Sequence, residues 1–436
     1  MKVVSETSKV MRSRDARGAG AARTPRVMAQ LIPEFPGQTH IFFWREIQAL
    51  AKLGVECALV STSRAPASIV CHDWSREAMA RTKYLFPPSA RDLLRAAWEM
   101  LVAGPASWWR CLGVLLASGV GGVRQRVKLV GLMVMGARLS ALAKEQGWSH
   151  VHAQSCGDSA YIAVFASLLG RVSYSMNLHG AIEYFGLGQS IKWKHAAFAA
   201  AVTQVLKDDV LSRVPTASGE RIDLAPMGAD LEVFEKTRPY VARRGDDPIR
   251  LVSCSRLHQG KGQQDAIRAV AILRDRGVLV RFTLLGEGPA RGMLTALIAE
   301  LGLGDVVTLV GAVPERAVRE ALENSHIFCL ASHEEALGVA TMEAMAMGLP
   351  VVVSKVGGVH ELVRDGVDGI MVPPQNPGAL ADAIEQVGRD ASMAARMGAS
   401  GCERVHAMFG SDRSARVIEA RLSELERAAS NESLLR

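Results

Sequence analysis

The run from His326 to Pro350 limits the fold more than any other stretch. His326 to Ala331 is apolar and reads as a buried strand. His333-Glu334-Glu335-Ala336-Leu337-Gly338 follows as a loop. From Gly338 the pattern turns helical and ends at Gly348, with Pro350 as the stop signal. A strand, a short loop and a helix point the helix's free N–H groups out of the strand's carboxyl end. That is an anion site by geometry, and Gly338 lets a ligand come close to the backbone. Glu335 sits on the loop and Glu343 about one turn into the helix. A carboxylate would repel the anion itself. Both glutamates therefore suit hydroxyl groups beside a phosphate, as in a sugar and a ribose.

The chain has 436 residues, enough for two domains of ordinary size. With 49% hydrophobic and 22% charged residues it can build large cores, and general disorder is not expected. Its seven cysteines include no C-x-x-C pair, and Cys254 and Cys329 fall inside predicted strands. Free core thiols in a reducing compartment are expected, without a metal site or disulfide framework. A net charge of +7 favours anionic partners such as nucleotides, lipid phosphates or a membrane surface. No nucleic-acid motif accompanies it.

Residues 1–25 read as a disordered basic tail that lacks the apolar core of a secretory signal; translation from near Met28 is the alternative. Arg26 to Leu31 is a predicted strand, and Pro33 to Gly37 a loop. Thr39 is expected to cap a helix with Ile41, Trp44, Ile47 and Leu50 on one face, and Val55 to Ser61 is the next strand. That β-α-β start belongs to a parallel sheet. Gly37 is either a turn glycine or the point where a donor phosphate or an acceptor approaches the backbone.

Residues 88–147 are rich in Leu, Val, Ala, Arg and Trp, and basic residues outnumber acids. Leu101 to Val120 is apolar enough to raise the question of a membrane span. Gly104-Pro105 and the Arg110 charge argue against one. Either helices packed on the domain or an amphipathic surface lying on anionic lipid fits. His150 to Ala153, a helix from Asp158 to Leu169 and Val172 to Leu178 resume the sheet, ending in His179-Gly180. A histidine at the carboxyl end of a parallel strand stands where open α/β sheets bind ligands. A capping or buried histidine is the competing reading. Glu183 and Tyr184 are weaker candidates, and Ala201 to Leu206 is a further predicted strand.

The polar stretch 235–248 is the best linker. Ile249 to Ser255 then begins a second sheet, and Arg256-Leu257-His258-Gln259-Gly260-Lys261-Gly262 opens a helix. Arg256 as a fork and Lys261 as a point charge, over backbone N–H groups, suit a diphosphate. Val280 to Leu285 leads into Gly286-Glu287-Gly288-Pro289, which with Gly292 comes near a dinucleotide fingerprint. An NAD(P)-dependent enzyme is therefore the alternative class. It fails at the next strand, Val306 to Val310, where no acid stands to hold ribose hydroxyls. The turn Gly311-Ala312-Val313-Pro314 there suits a base held through backbone groups. Strands and helices alternate on through 350–354, 357–364, 369–372 and 376–387. A helix from about Ser411 carries Ala415, Ile418, Leu422 and Leu425 on one face.

Glu335 and Glu343, with Ala-Met-Ala-x-Gly-x-Pro following, resemble the E-x7-E motif of retaining glycosyltransferases of the GT-B fold, family 4 above all. Leu337 stands where the family has Phe. Arg256-Leu257-x-x-x-Lys261-Gly262 matches the same family. Phe35-Pro36-x-x-Thr39-x-x-Phe42-x-x-x-Glu46-Ile47, the His-Gly at 179–180 and Pro226-x-Gly228-Ala229-Asp230 resemble its enzymes of bacterial exopolysaccharide assembly. The resemblance implies two doubly wound, Rossmann-like parallel-sheet domains facing across a cleft: an acceptor-side domain at 26–234 and a donor domain at 249–410. The helix at 411–436 would cross back onto the first. It implies transfer of a sugar from a nucleotide sugar to a glycan or polyprenyl-linked acceptor, in the cytoplasm or on the inner face of the plasma membrane, with no cofactor or metal. Glu335, His179, Arg256 and Lys261 would carry catalysis. Donor contacts would come from Gly37, Arg256, Lys261, Gly286, Val313, Glu335, Gly338, Val339 and Glu343. A GT-B scaffold that binds without turnover is the remaining alternative.

Overall fold

The computed structural model describes residues 26–119 and 121–434. The expected tail at 1–25 lies outside them. The first sheet holds β1 (Arg26–Phe35), β2 (Val55–Arg64), β3 (Lys83–Tyr84), β4 (His150–Ala153), β5 (Ser173–Leu178), β6 (Phe198–Ala201) and β7 (Ile222–Leu224). The second holds β8 (Ile249–Cys254), β9 (Val280–Leu285), β10 (Val307–Gly311), β11 (Ile327–Leu330), β12 (Val351–Ser354) and β13 (Gly369–Val372). Their spatial orders are β3-β2-β1-β4-β5-β6-β7 and β10-β9-β8-β11-β12-β13, and every pairing is parallel. Each order reverses beside its first strand, at β1/β4 and at β8/β11. Crevices open at such switch points, beyond the strands' carboxyl ends.

Parallel strands covered on both faces read as near-continuous apolar runs. The Ile-Phe-Cys-Leu of β11 and the Val-Val-Val-Ser of β12 are wholly buried for that reason. In the first half the helices are α1 (Ile41–Lys52), α2 (Ser75–Arg81), α3 (Ala90–Ala117), α4 (Val123–Gln146), α5 (Asp158–Gly170), α6 (Gln189–Lys194) and α7 (Gln204–Arg213). The second half has α8 (Gln263–Asp275), α9 (Arg291–Glu300), α10 (Glu315–Glu323), α11 (Val339–Ala346), α12 (Val359–Leu362), α13 (Pro377–Arg389), α14 (Ala391–Met408) and α15 (Asp412–Leu434). Helix α5 is buried along almost its whole length, and α3 and α4 pack over it. A side chain at Gly136 of α4 would run into Phe165 of α5, so the two helices approach at van der Waals distance.

Several expectations shift. Residues 33–35 continue β1 instead of forming a loop, and the N-cap of α1 is His40, not Thr39. The strand expected at Ala201 to Leu206 ends at Ala201. Thr203 then caps α7, its side chain accepting from Leu206 N, so the apolar residues after it turn into a helix. The long helix α3 breaks at Gly104, whose φ of 78° is not helical. Helix α14 was not among the expected elements, although its buried Ala394, Met397, Gly398, Gly401 and Val405 follow helical spacing.

Residues 235–248 form no helix or strand, yet they are tied down: Tyr240 donates its hydroxyl to His326 O at 2.9 Å. Helix α15 returns to the first sheet. Ala415, Ile418 and Leu422 are buried in one cluster with Phe43, Trp44 and Ile47 of α1. Arg26–Glu419 at 2.8 Å and Arg421–Asp223 at 2.6 Å hold it there.

Candidate active site

A cleft of about 680 Å³ lies between the two sheets, lined from both domains by loops at the strands' carboxyl ends. The loop after β8 brings Ser255, Arg256 and Lys261; the one after β11 brings Glu334, Glu335 and Gly338; β9 and β10 lead into Gly286 and Val313. From the first domain come Gln38, Thr39, Arg45, His179 and Tyr184. Of the expected catalytic and donor-contact residues, only Gly37 is not part of the lining; the weaker candidate Glu183 is also outside it, paired with Arg213 at 3.1 Å. The Gly37 carbonyl closes a turn by accepting from His40 N at 2.9 Å.

Two close approaches need glycine. A side chain on Gly262 would strike Ala331 O, and one on Gly286 would strike Ser255 O. Both have positive φ, so the loops after β8, β9 and β11 cross with no Cβ between them. Gln263 pins the β8 loop, donating to Ser255 Oγ at 2.8 Å and to Arg256 O at 2.9 Å. Lys261 Nζ lies 2.7 Å from Glu335 Oε2, which also accepts from Ser332 Oγ at 3.3 Å. His333 and Asp265 pair at 2.6 Å behind this loop. The exposed Arg256 side chain makes no hydrogen bond or ion pair among the described residues, so its charge faces the cleft uncompensated. Gly338, with φ 97°, begins α11 without a side-chain cap, which leaves the helix's first N–H groups to a ligand.

Glu343 sits deeper. Its Oε1 accepts from Arg45 Nη2 of the first domain at 2.8 Å, and Glu315 takes the same nitrogen. Burial pushes the Glu343 carboxyl above the usual carboxylate range, with Arg45 pulling it back; facing two acids, the Arg45 guanidinium is held charged. Arg45 engages Oε1 alone, so Oε2 is the oxygen left for a hydroxyl.

On the facing wall, the His179 ring meets Phe42 tilted by 57° and Phe43 edge-on at 72°, with ring centres 5.2 and 5.4 Å away. Its Nε2 is 3.0 Å from Gln154 Oε1, which also accepts from Asn177 Nδ2 at 3.1 Å. The Gln154 amide in turn donates to Gln30 Oε1 and Glu46 Oε1. An amide oxygen only accepts, so Nε2 carries the His179 proton and Nδ1 is a bare acceptor. Nδ1 is buried and has no partner. Burial, with His152 adding to it, pushes the His179 imidazolium down to about 3, so the ring is neutral.

Arg45, Gln38 and Gln154 were not foreseen as site residues. Gln38 bridges the domains, donating to Glu287 O at 2.7 Å and accepting from Glu287 N at 3.0 Å. The signal for Arg45 was its place beside Trp44 on an apolar helix, where charged residues normally face water.

Residues 235–404 match the family Glycosyl transferases group 1. The chain is 31% identical over 269 residues to the alpha-D-kanosaminyltransferase of Streptomyces kanamyceticus, covering 57% of this chain and 69% of that one. It is 35% identical over 171 residues to the putative colanic acid biosynthesis glycosyltransferase WcaL of Escherichia coli K12, covering 38% and 41%. The match thus spans about two fifths of that relative's length. The structure of Anabaena Alr3699/HepE in complex with UDP superposes with a TM-score of 0.68 at 18% identity, over 92% of this chain and all of that one. That likeness shows the fold, two facing parallel-sheet domains of the GT-B kind. The family accounts for the Gly286–Gly292 pattern without an NAD(P) site, and the chain belongs to the group 1 glycosyltransferases.

Proposed function

We propose that this enzyme moves a glycosyl group from a nucleotide sugar to a glycan or polyprenyl-linked acceptor, with retention at the anomeric carbon, as family 4 enzymes do. The observation that carries this reading is the Lys261–Glu335 pair at 2.7 Å, set beside the uncompensated Arg256 and the open start of α11. Arg256, Lys261 and the N–H groups beyond Gly338, at Val339 onward, receive the leaving diphosphate. This charge is built before the reaction, which is where electrostatic stabilisation is largest. In this reading no divalent ion is needed. Glu343 Oε2 takes a ribose hydroxyl, and backbone groups around Val313 take the base. Glu335 orients the sugar and stabilises the positive character it gains. His179 lines the cleft wall and contacts the sugar or acceptor with its neutral ring.

Among the described residues no cleft carboxylate is an obvious nucleophile: Glu335 is held by Lys261, Asp209 by Arg213 at 2.6 Å and Ile182 N at 3.1 Å, Glu315 and Glu343 by Arg45, and Glu334 lies against the Tyr184 hydroxyl. The acceptor therefore attacks on the face the diphosphate leaves, and a phosphate oxygen takes its proton. The UDP in one structural neighbour and the colanic acid role named for one relative support a nucleotide-sugar donor and a surface or exported polysaccharide. Seven free cysteines fit a reducing cytoplasm. Purified enzyme should be given a panel of nucleotide sugars with a lipid extract as acceptor, reading free nucleotide and the product's anomeric configuration by NMR. Nucleotide release with the donor's configuration kept is the expected result. An inverted product overturns retention, and no release with any donor leaves a binding protein.

A further inference from the structure

Three helical segments on one side of the first domain each expose an apolar stripe. Before its break, α3 shows Leu94, Trp98 and Leu101; after it, Trp109, Leu112 and Leu116; α4 opens with Val123, Val127 and Val130. The spacing is i, i+3 or i+4, i+7 each time, so each set forms one face. Trp109 is 73% exposed and Leu116 76%, and they stand in stripes with their neighbours, whereas exposed apolar residues on a soluble surface normally stand singly.

The break at Gly104 decides what this surface is. It splits α3 into 90–103 and 105–117, each well short of the roughly 20 residues that span a bilayer. The opposite face is fixed in the protein. Ala96, Cys111 and Val114 are buried, and the buried Glu99 bonds Ser140 at 2.6 Å and Lys144 at 2.5 Å. The helix lies along the domain with its outer face bare.

The charges point to the partner. The acids here are already paired, Asp92 with Arg138, Glu99 with Lys144, Glu145 with Arg95, Asp158 with Lys128. Arg91, Arg110, Arg124 and Arg126 are exposed and have no carboxylate partner among the described residues. Exposed tryptophans with unpaired arginines suit the headgroup region of anionic lipid. The surface also reaches the cleft. A side chain on Gly188 would come within 3.3 Å of the Ser118 carbonyl at the end of α3. Leu187 beside it is exposed, and Tyr184 lines the cleft mouth.

We propose that the outer face of α3 and the start of α4 docks on an anionic bilayer, setting the cleft mouth at Tyr184 level with the headgroups. Resting on the proposed transfer to a lipid-linked acceptor, this gives that acceptor a short path from the membrane. The test is co-sedimentation of full-length protein with vesicles of phosphatidylcholine alone or with one third phosphatidylglycerol, at low and high salt. Binding should need the anionic lipid and weaken with salt. Trp98→Gln/Trp109→Gln/Leu116→Gln should lower the partition coefficient at least tenfold with an unchanged melting temperature. Its turnover of a water-soluble acceptor should be normal, while that of a vesicle-borne acceptor falls. Vesicle binding is read without donor, so it stands or falls apart from the chemistry. Equal binding by the triple variant overturns the proposal. So does a wild-type dimer that becomes a monomer in that variant while neither binds vesicles.

Discussion

Arg45 and Glu343 meet at 2.8 Å across the seam of the two domains, 298 residues apart in the chain and both almost wholly buried. Arg45 spends one nitrogen on two acids, while its Nε and Nη1 are buried without a partner. Breaking such a pair from one side leaves a bare charge, which costs about 3–5 kcal/mol. Arg45→Met should therefore lower stability by that order in denaturant unfolding. Arg45→Met/Glu343→Gln should recover part of the loss, since one buried acid is then neutral. A double variant no better than the single would mean that the packing of the Arg45 side chain, and not its charge, holds the seam.

Glu46 gives the fold a pH dependence of known sign. Burial pushes its carboxyl up to about 7 from 4.5, against hydrogen bonds from Gln154 and Ser414. The folded state therefore binds the proton more tightly than the unfolded chain. That stabilisation is complete below about pH 4.5 and is lost as pH rises through about 7, on the order of 3–4 kcal/mol. Glu46→Gln should be more stable than the parent at pH 8 and lose the advantage at pH 4. A variant whose stability tracks the parent's at every pH would show that Glu46 does not titrate in this window.

What could be read in the sequence was local. The strand, loop and helix of 327–346 declare themselves through an apolar run, a glycine and a Gly-x-Pro stop, and Arg256 and Lys261 through their place between a strand and a helix. The Ala201–Leu206 error was also local, one threonine cap deciding helix over strand. The partner of Arg45 was illegible for a different reason. A buried charge is stable only with its partner, and that partner is 298 residues away. Likewise Gly37 drew notice as a glycine, whereas the side chain that crosses the cleft is that of Gln38. Gln154 looked like any polar residue after a strand, and only the fold places Gln30, Glu46, Asn177 and His179 around it.

Gln154 acts on the site through His179, as a positioning residue. Gln154→Met keeps the size and removes the amide oxygen that holds Nε2–H. The expected result is a mixture of His179 tautomers by ¹⁵N NMR, where the parent shows Nε2–H alone. Turnover should fall roughly 10-fold or more for the lost alignment, with donor KM little changed. Because His179 ionises only near pH 3, the parent's activity should show no His179 step between pH 5 and 8. A step in that range that disappears in His179→Asn would overturn the neutral-ring role.

Lys261→Ala and Glu335→Gln break the same 2.7 Å contact from opposite sides, yet their kinetics should differ. Lys261 meets the diphosphate in the ground state and the transition state alike. Its loss removes a charge-assisted contact of about 1.5–3 kcal/mol, so donor affinity and turnover should both fall. Glu335 matters most as the sugar gains positive character, an interaction that strengthens on the way to the transition state. Glu335→Gln keeps the shape, so turnover should drop far more than donor affinity. The pair must be measured together, by donor titration and by single-turnover transfer. If Glu335→Gln loses affinity while bound donor reacts normally, Glu335 is a binding residue and the charge assigned to the transition state lies elsewhere. If both variants instead lose melting temperature in step with activity, the pair is a structural clasp between the β8 and β11 loops.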